Sequence, residues 1–163
     1  MNRLVPHLPL PPYGFVPGRN VHPHHPGGHS HGAEHSVPPP LSAERWWECV
    51  PYLFGIDLFN HGYYWEAHEA WEGLWQACGR EGEMGRFLKG LIKLAAAGVK
   101  QRQGKPDGVC WHARRAGELW RDLPEMFLGF KVSELIELAG QIARAGWPAA
   151  APILTVQSGP SQP

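Results

Sequence analysis

From about Ser42 onward, apolar residues recur every three to four positions, the spacing of one buried helical face. Ser42 is placed to cap a first helix, which Pro51 should kink or restart and Gly62 should end. A second helix is predicted over 63–77, stopping at Gly79. A third spans about 83–103, with Leu88, Leu91, Ile92, Ala95 and Val99 on one stripe. Arg86, Lys89, Lys93 and Lys100 form a basic stripe beside it, and Gly104 ends the helix. A fourth opens at Pro106 and runs to Leu123, its inner face made by Val109, Ala113, Ala116, Trp120 and Leu123. The apolar stretch 124–132 reads as a packed loop. Ser133 then caps a fifth helix over 134–145, closed by Gly146 and Pro148. No alternating strand pattern rises above background, and short connections predict roughly antiparallel neighbours. The expected fold is all-α, a single-domain bundle of about five helices over 41–147.

The two ends follow different rules. Residues 1–40 hold ten of the seventeen prolines and seven of the ten histidines. Proline lacks the donor a helix needs, so this zone is expected to be an extended Pro/His-rich arm. Leu8, Leu10, Tyr13, Phe15 and Val16 are placed to anchor it on the bundle. Residues 148–163 are expected to be a flexible tail.

Composition narrows the function classes. The net charge is zero and no basic block occurs, which argues against nucleic acid or an anionic membrane as partner. The longest apolar run, 94–99, falls far short of the ~20 residues a membrane helix needs. The start of the chain lacks the apolar run of a secretory signal. Three widely spaced cysteines, with no CxxC pair, fit a reducing cytoplasm better than a disulfide framework. All eight tryptophans lie between Trp46 and Trp147, more apolar surface than one thin core consumes. A homodimer is therefore expected, through surface near the first helix or the 126–130 loop.

The candidate chemistry sits on the second helix. On a wheel of about 100° per residue, His68 and Glu72 align and Glu69 lies one turn from Glu72. Trp65, Trp71 and Trp75 flank that face, while Ala67, Ala70 and Leu74 line most of the other. His68-Glu-Ala-Trp-Glu72 is the zinc-peptidase H-E-x-x-H spacing with the second histidine replaced by glutamate. One reading makes His68 and Glu72 ligands of a divalent metal, zinc or nickel, with Glu69 as general base and His112 as third ligand. Asp57, His61 and Glu66 would then stand behind the ligands, or Asp57 and His61 would close the end of the first helix. The other reading is structural: these residues form a polar network, and Lys93 or Lys100 contacts Glu69 or Glu72. A contact from Lys93 is expected, because the basic stripe follows the carboxylates after a short turn. The arm supplies further imidazoles, His22, His24, His25, His29, His31 and His35, able to bind nickel, copper or zinc or to serve only as a solubilising linker.

The run Gly55-Ile-Asp-Leu-Phe-Asn-His-Gly-Tyr-Tyr-Trp-Glu-Ala-His-Glu-Ala-Trp-Glu-Gly-Leu-Trp75, followed by Phe87-Leu-Lys-Gly-Leu-Ile-Lys-Leu-Ala-Ala-Ala97, resembles the bacterial domain-of-unknown-function 309 family. The likeness covers about residues 41–140, and the arm's Val16-Pro-Gly, His22-Pro23 and Gly28-His29-Ser30 resemble a longer subgroup. It implies an α-helical bundle and brings a label, predicted metal-dependent hydrolase, that rests on the same H-E motif. Glu66, His68, Glu69 and Glu72 match the family pattern. Many members carry Tyr-His where this chain has Val99-Lys100, and a protonated lysine cannot replace a histidine ligand.

Overall fold

The computed structural model describes residues 2–33, 36–157 and 159. After a 3-10 turn at Trp46–Glu48 come α1 (Val50–Asn60), α2 (Tyr64–Ala77), α3 (Gly82–Arg102) and α4 (Pro106–Trp120). A two-stranded hairpin, β1 (Met126–Phe127) and β2 (Phe130–Lys131), leads into α5 (Val132–Ala145). Each helix packs on the next in sequence, so the fold is a helical bundle. Helix ends fall where the glycines put them: Gly62, Gly79, Gly104 and Gly146 all have positive φ.

Two large indoles set the packing distance between helix pairs. Trp71 of α2 is fully buried against α1 and donates its Nε1–H to the Tyr52 carbonyl at 3.3 Å. Trp120 of α4 does the same on α3, donating to the Phe87 carbonyl at 3.1 Å. In each case the indole sits on a glycine three residues beyond its acceptor. A Cβ on Gly55 would lie 2.3 Å from Trp71 Nε1, and one on Gly90 would lie 2.1 Å from Trp120 Nε1. Trp71 therefore belongs to the core with Ala67 and Leu74, not to the polar face where the helical wheel placed it.

Three expectations fail at loops and ends. Neither Ser42 nor Ser133 caps a helix: no side-chain cap occurs at α1 or α5, and Ser133 Oγ instead donates to Glu125 Oε1 at 2.7 Å. The stretch expected to be strandless forms the small hairpin. Its turn residues Leu128 and Gly129 both have positive φ, +47° and +82°, as a tight two-residue hairpin requires. Leucine tolerates that backbone because its side chain is buried and its carbonyl accepts the Tyr52 hydroxyl at 2.8 Å.

The third failure is the tail. Leu154 is buried, and Asn60 of α1 grips its main chain at both ends, Nδ2 to Leu154 O at 2.8 Å and Leu154 N to Oδ1 at 2.7 Å. Gln157 N adds a bond to Gly129 O at 2.8 Å. The described part of the arm, 2–33 and 36–40, forms turns and no helix or strand, with Val5, Phe15 and Val16 buried.

The glycine seats make a stability prediction. Gly90→Ala should lower unfolding free energy by about 1–3 kcal/mol, because the added carbon meets a close-packed indole. Gly117→Ala, whose Cβ would meet Ala139 Cβ at an ordinary 3.6 Å, should be neutral or stabilising by up to ~1 kcal/mol from helix propensity. Chemical denaturation of the two variants checks the contrast; equal losses would refute it.

Candidate functional site

The motif helix begins one tight turn after α1 ends. His61 N bonds back to Asp57 O, and Gly62, at φ +82°, turns the chain into α2. Along α2 the buried positions are Tyr64, Glu66, Ala67, Trp71 and Leu74, while Trp65, His68, Glu69, Glu72 and Trp75 are half-buried. The polar residues divide into two groups with different partners.

The first group holds the arm. Asp57 and Glu66 are the buried carboxylates among the described residues, 2% and 6% exposed. Asp57 accepts the Leu4 and Val5 main-chain N–H groups, one on each oxygen, both at 2.8 Å, and Arg3 Nε stands 3.6 Å away. Glu66 Oε1 accepts the Phe15 N–H at 2.8 Å and lies 3.2 Å from His29 Nε2. His29 is itself buried, edge-on to Tyr13 at 4.8 Å. Glu69 Oε1 lies 2.9 Å from His24 Nε2. A carboxylate taken out of water is costly unless donors replace its hydration, and here main-chain amides and imidazoles replace it.

The other arm histidines pack around the same corner. His22 stands against Phe15 and Trp65, at ring distances of 5.0 and 5.7 Å, and its Nδ1 accepts the His24 N–H. His25 lies against His22 at 4.8 Å, and His31 Nδ1 is 3.2 Å from the His24 carbonyl. His35 lies outside the described residues. His61 is exposed, and its Nδ1 sits 2.8 Å from the Asp57 main-chain oxygen, not from the Asp57 carboxylate. The expected Asp57–His61 side-chain pair is therefore replaced by the arm.

The second group lies between α2, α3 and α4. His68 stacks on Trp65 at 5.8 Å, with its Nδ1 3.9 Å from Glu72 Oε2. Burial pushes its pKa down; Glu72 and Glu69 oppose the shift, and Lys89 and Lys93 add to it. His112 is pushed down to about 4, first by burial, then by the positive fields of Lys93 and Lys100 and by His68. The Lys100 side chain lies over the first turn of α4, close to Gly108. Both imidazoles are thus neutral near pH 7. Their Nδ1 atoms, and the Nε1 atoms of Trp65 and Trp75, are buried without a hydrogen-bond partner among the described residues.

The cations predicted to pair with the motif carboxylates go elsewhere. Lys89 Nζ sits 3.9 Å above the Trp75 ring, and Lys93 Nζ lies 5.1 Å from the Trp111 ring. Among the described residues, no ion pair joins Lys93 or Lys100 to Glu69 or Glu72. Nor do three or more His, Cys, Asp or Glu side chains group there as a ready-made metal cage. Neutral His68 beside Glu72 keeps the chemistry of a proton acceptor or a single ligand.

A pH dependence follows from the two imidazoles. His112 resists protonation down to about 4 in the fold, against an ordinary value of 6.5. Between those values the unfolded chain takes up a proton that the folded chain refuses. Stability should be full above about pH 6.5, fall as the pH drops through that window, and level off below about pH 4. Thermal melting across pH 4–7 checks this, and His112→Asn should flatten the slope. An unchanged slope would mean that other groups govern it.

No curated protein matches the chain. The family described as a domain of unknown function (DUF309) matches residues 52–113, which run from Tyr52 on α1, through all of α2 and α3, to Ala113 on α4. Through that stretch, which holds Asp57, Glu66, His68, Glu69, Glu72 and His112, the chain is similar to the DUF309 family.

Proposed function

We propose that the protein is a non-catalytic helical interaction module, in which Asp57, Glu66 and Glu69 fasten the chain's own N-terminal arm over α1 and α2. The observation that carries this reading is the use made of the two buried carboxylates: both accept arm main-chain N–H groups at 2.8 Å. Glu69, the candidate general base, faces His24 in place of a free water site. Main-chain amides are fixed by the backbone, so such a clasp orders the arm without depending on its side chains.

A second reading, a zinc- or nickel-dependent hydrolase built on His68, Glu72 and His112, draws support from one feature. Both histidines are neutral and have unpartnered nitrogens, the state a metal ligand needs. One pair of variants separates the readings. Under the module reading, Glu66→Ala should lower stability by about 2 kcal/mol or more, by stranding the buried Phe15 amide and His29, and should speed proteolysis of the arm. His68→Ala should leave metal content unchanged. Stoichiometric zinc or nickel in protein purified without a metal-affinity step, lost on His68→Ala, would favour the hydrolase and overturn the module.

The module reading includes self-association. The start of α1 adjoins the hairpin, with Trp46 packed on Gly129 and Tyr52 bonded to Leu128, and both elements leave apolar side chains exposed, Val50 at 39% and Met126 at 44%. Light scattering at micromolar concentration should report twice the chain mass of 18.1 kDa, and Met126→Glu should halve it. A monomer at high concentration counts against the dimer.

A further inference from the structure

The arm does more than cover α2. Val16, Pro17, Gly18 and Arg19 form a tight turn: Arg19 N bonds to Val16 O at 2.9 Å, Pro17 takes the second position, and Gly18 has φ +83°. These are the requirements of a type II turn, proline for the preset φ and glycine for the positive one. Gln103, the residue after α3, pins the turn by donating Nε2–H to Pro17 O at 3.4 Å. The side chain before it, Arg102, is thereby brought to the same cleft as Arg19.

That cleft has the shape and charge of a ligand site. It is an open cleft of about 510 Å³, and its walls include Arg19, Arg102, Tyr64 and Trp147. Tyr64 and Trp147 meet edge to face at 5.2 Å, and the Arg102 guanidinium lies 5.7 Å from the Tyr64 ring. At Tyr64 and Arg102 it meets a smaller cavity of about 180 Å³, lined in part by the arm residues Gly14, Phe15 and Val16. Among the described residues no aspartate or glutamate lines either cavity, and neither arginine is paired with a carboxylate. Two guanidiniums with no carboxylate partner among the described residues, Arg102 donating one Nη2–H to the Gly62 carbonyl at 3.4 Å, favour an anion, because their planar donor forks match carboxylate or phosphate oxygens. The half-buried Trp147 offers apolar surface beside that charge, with the buried Tyr64 ring edge to face against it.

The geometry points to a binding site, assembled by the arm turn and the end of α3, for a small organic anion: a carboxylate or phosphate ester attached to a planar ring. Arg19 and Arg102 hold the acidic head, and Trp147, backed by Tyr64, packs against the ring. The site is remote in sequence from His68 and uses none of the motif carboxylates.

Calorimetric titration of the full chain with phenyl phosphate and with benzoate tests this, with inorganic phosphate as the ring-free control. Saturable binding of at least one ring-bearing anion is expected, tighter than inorganic phosphate. Arg19→Gln and Arg102→Gln should each weaken it by about tenfold or more, and Arg19→Gln should leave the melting temperature unchanged because its side chain is exposed. The tighter of the two ligands identifies the head group. No saturable binding of either at millimolar concentration, or binding that both substitutions leave intact, overturns the site. Equal affinity for inorganic phosphate overturns the packing of the ring on Trp147.

Discussion

Two carboxylates buried inside a helical bundle must find donors, and that requirement organises this molecule. Asp57 sits in the last turns of α1, where the N–H groups are spent on the intrahelical ladder, and Glu66 sits in the first turn of α2 but turns its carboxylate to the arm. The donors come from a segment that cannot form a helix. Proline-rich chain leaves its remaining N–H groups free, and Leu4, Val5 and Phe15 present theirs to the two acids. The arm is ordered because the acids are buried, and the acids stay buried because the arm is there. Removing either partner leaves a polar group in a dry place, which is the most costly kind of single change in a fold.

The same helix, α1, takes charge of both chain ends. Asp57 receives residues 4 and 5, and Asn60, three positions along, receives residue 154. Behind these polar contacts stands a dry framework of indoles seated on glycines, Trp71 on Gly55 and Trp120 on Gly90. That framework seats α2 on α1 and α4 on α3, and α2 packs directly on α3, so Lys89, Lys93, His68 and His112 share one field. The imidazoles respond by giving up their charge, because burial and nearby ammonium groups act in the same direction.

Much of this architecture is legible in the residues, and the rest is hidden for definite reasons. The four later helices and their glycine stops follow from apolar spacing, which depends only on local geometry. The helical wheel misplaced Trp71 because it grouped indoles with the polar face; nothing local says that Gly55, sixteen residues earlier, has left a seat for it. The Leu128-Gly129 turn was invisible because leucine carries no signal for positive φ, and tertiary burial imposes it. The lysine–glutamate contacts failed because Lys89 and Lys93 lay their charge on Trp75 and Trp111 instead. The arm's role as donor was hidden most deeply, since main-chain N–H groups are the same in every sequence. The oddity of an aspartate at position 57 among apolar neighbours was the visible half of that contact.

The distance along the chain between Asp57 and its donors carries a consequence for the order of events in the cell. Leu4 and Val5 precede their acceptor by 53 and 52 residues, and Phe15 precedes Glu66 by 51. A ribosome releases the arm first, long before α1 and α2 exist to receive it. The arm, made before its acceptors, thus settles only after them. Until then Val5, Phe15 and the His29 side chain, covered in the finished molecule, remain open to solvent.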